Sequence, residues 1–144
     1  IMGKRRSSRE LALKFLYQFE LTGGELDEQI KLFLKQNSSK DDVESFMRGL
    51  VFSLLDKVKE IDEVIQKYSD HWVLDRMTVI DRNILRMGVC ELLFDFSTPP
   101  KVVINEAIDI AKKYGNEDSP EFINGVLDKV YKEIGQKGPL PFSS

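Results

Sequence analysis

The chain has one cysteine and one histidine in 144 residues. A lone Cys90 excludes an intrachain disulfide and any thiolate cluster able to hold a metal, and a reducing compartment fits this usage. A histidine-based metal or proton-transfer site would need companions that His71 does not have. Uninterrupted apolar runs, such as Gly49 to Leu55, are far shorter than the ~20 residues that cross a bilayer, so no membrane role is expected. The first residues show no apolar segment of the kind a secretory leader carries. Glycine-rich phosphate loops are missing too: Gly23-Gly24 has no lysine placed to reach a nucleotide.

What is present is enough apolar surface for one core. At 42% hydrophobic and 31% charged residues, the chain is an ordinary globular one near the commonest domain size. Its formal charge of -3 hides a polarity. Lys4, Arg5, Arg6 and Arg9 precede the first acid, Glu10, and without those four cations the remaining 17 basic residues face 24 acidic ones, a net of -7. On charge alone, a site for an anionic partner and a solvated, frayed terminus stand level.

Hydrophobic residues recur at helical spacing along nearly the whole chain. Leu11, Ala12, Phe15, Leu16 and Phe19 predict a helix from Ser7 to Leu21, with Ser7 and Glu10 spaced as a capping box and Gly23-Gly24 as its stop. A second is expected from Leu26 to Gln36. One period then runs from about Asp42 to Tyr68, predicting a single spine helix of roughly 40 Å. After a break around Trp72, Thr78 can cap a helix carrying Val79 through Phe96, ended by Pro99-Pro100. Val103 to Tyr114 predicts a further helix with Gly115 as a left-handed cap. The last starts with Ser119 as N-cap and Pro120 at the first position, and runs to Gly135. No segment alternates as a strand does. The expected fold is therefore all-α, about seven helices in two small bundles sharing a core. The expected organisation is one helical domain over residues 1–137, with 1–6 a flexible basic arm and 138–144 an irregular tail.

Catalytic groups are sparse. A Cys90–His71 pair is weakened because Cys90 falls in the apolar period of Val89 and Leu92, which reads as core packing. Carboxylates such as Asp62, Glu63 and Glu121 lie on polar faces or near caps. No cofactor site and no enzymatic function are expected. The basic start is the better candidate, because cations leading into a helix neutralise phosphates. Three or four such contacts predict that log affinity falls with log salt at a slope of roughly -2 to -3. Tyr17, Tyr68 and Phe122 are candidate platforms for unstacked bases, with core packing the plainer role for each. Asp118 and Phe122, four residues apart, set an acceptor beside an aromatic face at the start of the last helix.

Several segments together resemble one family. They are Arg5-Arg6-Ser-Ser-Arg9-Glu-Leu-Ala-Leu-Lys-Phe-Leu-Tyr17, Asp81-Arg-Asn-Ile-Leu-Arg86 with Glu91-Leu92, Val103-Ile-Asn-Glu-Ala-Ile-Asp-Ile-Ala-Lys-Lys-Tyr-Gly115, and Phe122-Ile-Asn-Gly-Val-Leu-Asp-Lys129. Their order over nearly the whole chain resembles the bacterial NusB antitermination factors. The resemblance implies two helical bundles set across each other and a non-catalytic, cytoplasmic role. It implies pairing with the small-subunit ribosomal protein NusE, binding of single-stranded boxA RNA in ribosomal RNA leaders, and action in an antitermination complex on RNA polymerase, with help to ribosomal RNA maturation. Some members of the family self-associate, so a homodimer is a further expectation.

By position, the resemblance implies RNA contacts at Lys4, Arg5, Arg6, Arg9, Tyr68, Asp118 and Phe122. It implies partner contacts at Glu10, Tyr17 and Asp81. Ser7 and Ser8 stand where the family commonly has arginine or alanine, which implies weaker intrinsic RNA affinity and more dependence on the partner. Asn105, Glu106, Asn124 and Asp128 sit among apolar positions and are expected to tie helices together by hydrogen bonds. Two readings compete: the accessory region of a ribosomal RNA methyltransferase, and a protein-only scaffold with weak, nonspecific RNA binding.

Overall fold

A computed structural model describes residues 2–70 and 74–135. The helices are α1 (Met2–Thr22), α2 (Leu26–Gln36), α3 (Asp41–Asp56), α4 (Val58–Tyr68), α5 (Val79–Phe94), α6 (Pro100–Tyr114) and α7 (Ser119–Gly135), with a single 3₁₀ turn at Leu74–Arg76. No strand occurs among the described residues. His71 and Trp72, expected near a break, and the expected tail 138–144 lie outside them.

Local chemistry explains most boundaries. Gly23 and Gly24 stop α1 with φ of 68° and 105°, a backbone region that side chains disfavour. The Glu25 carboxylate then accepts from the Asp27 and Glu28 amides and starts α2. Thr78 caps α5 as expected, its hydroxyl accepting the Asp81 amide.

Four expectations are corrected. The spine helix is two helices: the Lys57 amide is shared between the Ser53 and Leu54 carbonyls, at 3.1 and 3.2 Å, which tightens the turn and ends α3. Helix α1 begins at Met2, so residues 2–6 are helical, not a flexible arm, and Ser7 is not a cap. Pro99 and Pro100 do not end α5, which stops at Phe94; Pro100 instead opens α6, where its missing amide is no loss. Gly115 is not left-handed, at φ -90°. It is required by space, since a Cβ there would lie 2.5 Å from Ser119 Oγ and 2.9 Å from the Ala111 carbonyl oxygen. The Ser119 hydroxyl accordingly accepts the Asn116 amide of that turn at 3.0 Å, while the Asn116 carbonyl accepts the Ser119 amide and the Asp118 carbonyl that of Phe122.

Helix α5 is buried on almost every side, from Asp81 to Leu93, because it joins two groups of helices. One group is α1, α2 and α3; the other is α4, α6 and α7, and α5 packs against α1, α3, α4, α6 and α7. Phe15, Ile30, Met47 and Leu54 from the first group and Ile61, Ile110, Ile123 and Leu127 from the second are fully buried in one continuous core with Ile84 and Leu85 of α5. No helix of the described residues is long and apolar enough to cross a membrane.

Candidate nucleic-acid interface

The first turns of α1 carry the four expected cations, and the fold treats them differently. Lys4 is exposed and its ammonium lies 2.9 Å from Asp42, with both side chains more than half exposed. Arg5 lays its guanidinium over the Phe46 ring, 4.0 Å from the centroid. Arg6 is partly exposed, but its Nε and Nη2 donate to both oxygens of Glu106, at 3.1 and 2.5 Å, and Nη2 also reaches Asp109 at 2.6 Å.

Arg9 departs furthest from expectation. It is 3% exposed and donates to both carboxylate oxygens of Glu91, with Glu106 at 3.7 Å. It belongs to the interior, not to an RNA-facing surface. Burial alone would lower the Arg9 pKa; the hydrogen bonds and charge of Glu91, with Glu106 behind it, reverse that, so the guanidinium stays charged. The hydrogen bonds that Arg6 donates to Glu106 likewise raise the Arg6 pKa.

A cleft of about 410 Å³ opens between the start of α5 and the start of α7. It brings together three expected residues, Asp118, Phe122 and Asp81, and adds Arg76, Met77, Asn116 and Glu121. Its chemistry suits a flat group with hydrogen-bond donors: an aromatic wall, three carboxylates and one guanidinium. Asp81 is 7% exposed, and its Oδ1 has no hydrogen-bond partner among the described residues. A buried acceptor of this kind is costly unless something donates to it. Tyr68 is half-buried at the end of α4 and is not among the described residues lining the cleft. Two residues on, Asp70 meets Lys129 of α7 at 2.5 Å, which ties that end of α4 to the α7 face.

Tyr17, 42% exposed, lies in a second, apolar groove of about 470 Å³ with Leu13, Leu21, Phe33 and Ile80. Ile80 of this groove and Asp81 of the cleft are consecutive residues in the first turn of α5. Leu21 at 62% exposure is the large apolar side chain that sequence reasoning passed over; its signal was a leucine off the buried stripe of α1. Glu10, expected to meet a partner, is only partly exposed. Its carboxylate accepts from Lys113 Nζ at 2.9 Å and from the Tyr114 hydroxyl at 2.7 Å.

Of the four residues expected to tie helices together, Glu106 does so. Asn105 and Asn124 are exposed, and Asp128 pairs with Lys132 one turn along its own helix. Cys90 is 1% exposed, and burial pushes its thiol up to about 11, so it is a core residue. No group of three or more potential metal ligands occurs among the described residues.

The sequence pattern of the NusB family matches residues 6–132. Proteins described as transcription antitermination protein NusB are similar over most of the chain. That of Geobacter sulfurreducens is 44% identical over 138 residues, covering 95% of this chain and all of the relative. That of Thermodesulfovibrio yellowstonii is 41% identical, covering 90% and 93%. In the Chloroherpeton thalassium relative, 39% identical, the match covers 94% of this chain and 65% of the relative. Among solved structures, T. maritima NusB superposes with a TM-score of 0.82 at 36% identity, covering 90% and 91% of the two chains. A chain from a crystal structure of the antitermination factors NusB and NusE in complex with double-stranded RNA also gives 0.82, at 34% identity and 92% and 99% coverage.

Proposed function

Because the chain belongs to the NusB family, we propose that it is a transcription antitermination protein that binds RNA together with NusE and acts as an adaptor, not as an enzyme. The observation that carries this reading is the likeness, over nearly full length, to a NusB chain bound to NusE and RNA. Work on nascent transcripts puts the protein in the cytoplasm, within a complex on RNA polymerase.

The chemistry of the surface supports a division of labour. Lys4 and Arg5 offer positive charge to phosphates, and their own ties are solvent-exposed or aromatic and readily exchanged. Phe122 offers a stacking face and Asp118 an acceptor for a base amino group, with Tyr68 on the neighbouring helix end. The apolar groove around Tyr17 and Leu21 is the place for NusE, and Asp81, in the other cleft, offers an acceptor without a partner of its own among the described residues. The three carboxylates of the cleft disfavour a polyanion, so RNA binding gains from a basic partner beside them.

Titration of labelled boxA RNA, single-stranded and duplex, with and without NusE, tests the reading. Preference for boxA over a scrambled sequence, enhanced by NusE, is expected. No preference in either form with NusE present overturns it.

A further inference from the structure

By its own chemistry the start of α1 should fray. It has no acid in its first turn, carries Gly3 and two serines, and gathers positive charge at the end where the helix dipole is already positive. Short helical ends of this composition are not stable alone. Yet α1 is helical from Met2. The side chains that hold it are Ser8, whose hydroxyl reaches the Val43 carbonyl at 2.9 Å, and above all Arg6 and Arg9 on the carboxylates of α5 and α6.

The accounting of charge in that network constrains what RNA can take. Glu106 is 2% exposed and receives both oxygens' worth of hydrogen bonding from Arg6. Were Arg6 to turn to a phosphate, Glu106 would keep only Arg9 at 3.7 Å, and Arg9 is already bidentate on Glu91. A buried carboxylate stripped of its partner is strongly unfavourable, whereas an exposed contact to a phosphate gains little. RNA therefore does not draw Arg6 away.

We propose that Glu106 is a positioning residue for RNA binding: through Arg6, and with Glu91 holding Arg9, it fixes the first two turns of α1 so that Lys4 and Arg5 are presented to phosphates from a rigid helix. Arg6 belongs to this clamp and is not itself a phosphate contact. The number of cations that the first two turns of α1 offer to RNA is thus two, not four. This inference rests on the RNA-binding reading above, and its failure is distinguishable from failure of that reading.

The test is the salt dependence of boxA oligoribonucleotide binding in the presence of NusE, measured for the wild type, Lys4→Gln, Arg5→Gln, Arg6→Gln, Glu106→Gln and Asp109→Asn. Each lost phosphate contact on a single strand flattens the slope of log affinity against log salt by about 0.7. Lys4→Gln and Arg5→Gln are expected to flatten it by that amount each. Arg6→Gln and Glu106→Gln are expected to lower affinity by a similar factor at every salt concentration, leaving the slope unchanged, and to speed amide hydrogen exchange at residues 4–8. NusE affinity, read on the same samples, stays at the wild-type value.

Asp109 is 43% exposed, so Asp109→Asn loosens Arg6 without burying a bare charge and keeps the test sound if Glu106→Gln fails to fold. It is expected to give the same parallel shift at smaller size. A flatter slope in Arg6→Gln makes Arg6 a phosphate contact and overturns the proposal. Unchanged RNA affinity in both Glu106→Gln and Asp109→Asn overturns it also. Wild-type protein that ignores the boxA sequence sinks the RNA-binding reading instead.

Discussion

Arg9 of α1 and Glu91 of α5 stand 82 positions apart in sequence and meet in the interior, two parallel hydrogen bonds of 2.8 and 2.7 Å joining the guanidinium to both carboxylate oxygens. The pair bolts the first helix to the central one. Because both side chains are almost wholly buried, removing either leaves an uncompensated charge. Glu91→Ala is expected to destabilise the fold by about 3–5 kcal/mol, read from the midpoint of urea unfolding. Lys4→Ala, which breaks only an exposed pair, should leave the midpoint nearly unmoved.

Two glycines predict opposite effects of the same substitution. A Cβ on Gly88 would lie 2.9 Å from Leu127 Cδ1, where α5 and α7 pack closely. Gly88→Ala should therefore cost about 1–3 kcal/mol through overpacking. Gly125, exposed in α7, has nothing within 4 Å of its Cβ position. Gly125→Ala should stabilise the free protein by about 0.5–1 kcal/mol, since glycine is a poor helix former. Thermal unfolding of the two variants side by side checks both signs.

Cys90 should be chemically silent in the native protein. Its thiol is buried, its pKa is pushed up to about 11, and its Sγ lies 3.6 Å from the Ser53 hydroxyl. At pH 8 the thiolate is scarce and shielded, so the expected rate of alkylation by iodoacetamide is the rate at which the fold opens. Fast labelling that does not change with stabilising conditions would contradict the assignment of Cys90 to the core.

Glu10 links stability to pH. Burial would raise its carboxyl pKa, but the hydrogen bonds from Lys113 and Tyr114 outweigh that and hold it below the usual carboxylate range. A value lower in the folded state than in the unfolded one means the stabilisation is fully present above the ordinary carboxylate range. It is lost as pH falls through the depressed value. Glu10→Gln should flatten this part of the stability–pH curve between about pH 5 and 3, and comparison of urea midpoints across that window measures it.

Legibility in the sequence followed the range of the interactions. Helix α2 was readable at both ends because Gly23, Gly24, Glu25 and the polar run from Asn37 act within a few residues. The division between α3 and α4 was not, since Lys57 is neither glycine nor proline and the apolar period passes straight through it. The helical start of α1 was hidden for a different reason: it is imposed by Glu91, Glu106, Asp109 and Val43, far along the chain. For the same reason the four cations, close neighbours in sequence, are unlike in the fold. Asp118 and Phe122 were legible as neighbours from helical spacing, while Arg76 and Asn116 joined their cleft only through the packing of α5 beside α7. Asn105 and Asn124 misled because polar residues among apolar ones read as buried ties, yet both face outwards.

The central claim is that this NusB-family chain recognises boxA RNA as one half of a pair with NusE. Equilibrium titration of fluorescent boxA RNA at fixed salt, with and without saturating NusE and against a scrambled sequence of equal length, tests it most directly. The account predicts weak, poorly selective binding alone and tighter, boxA-selective binding with NusE. Equal affinity for boxA and scrambled RNA in the presence of NusE would contradict it.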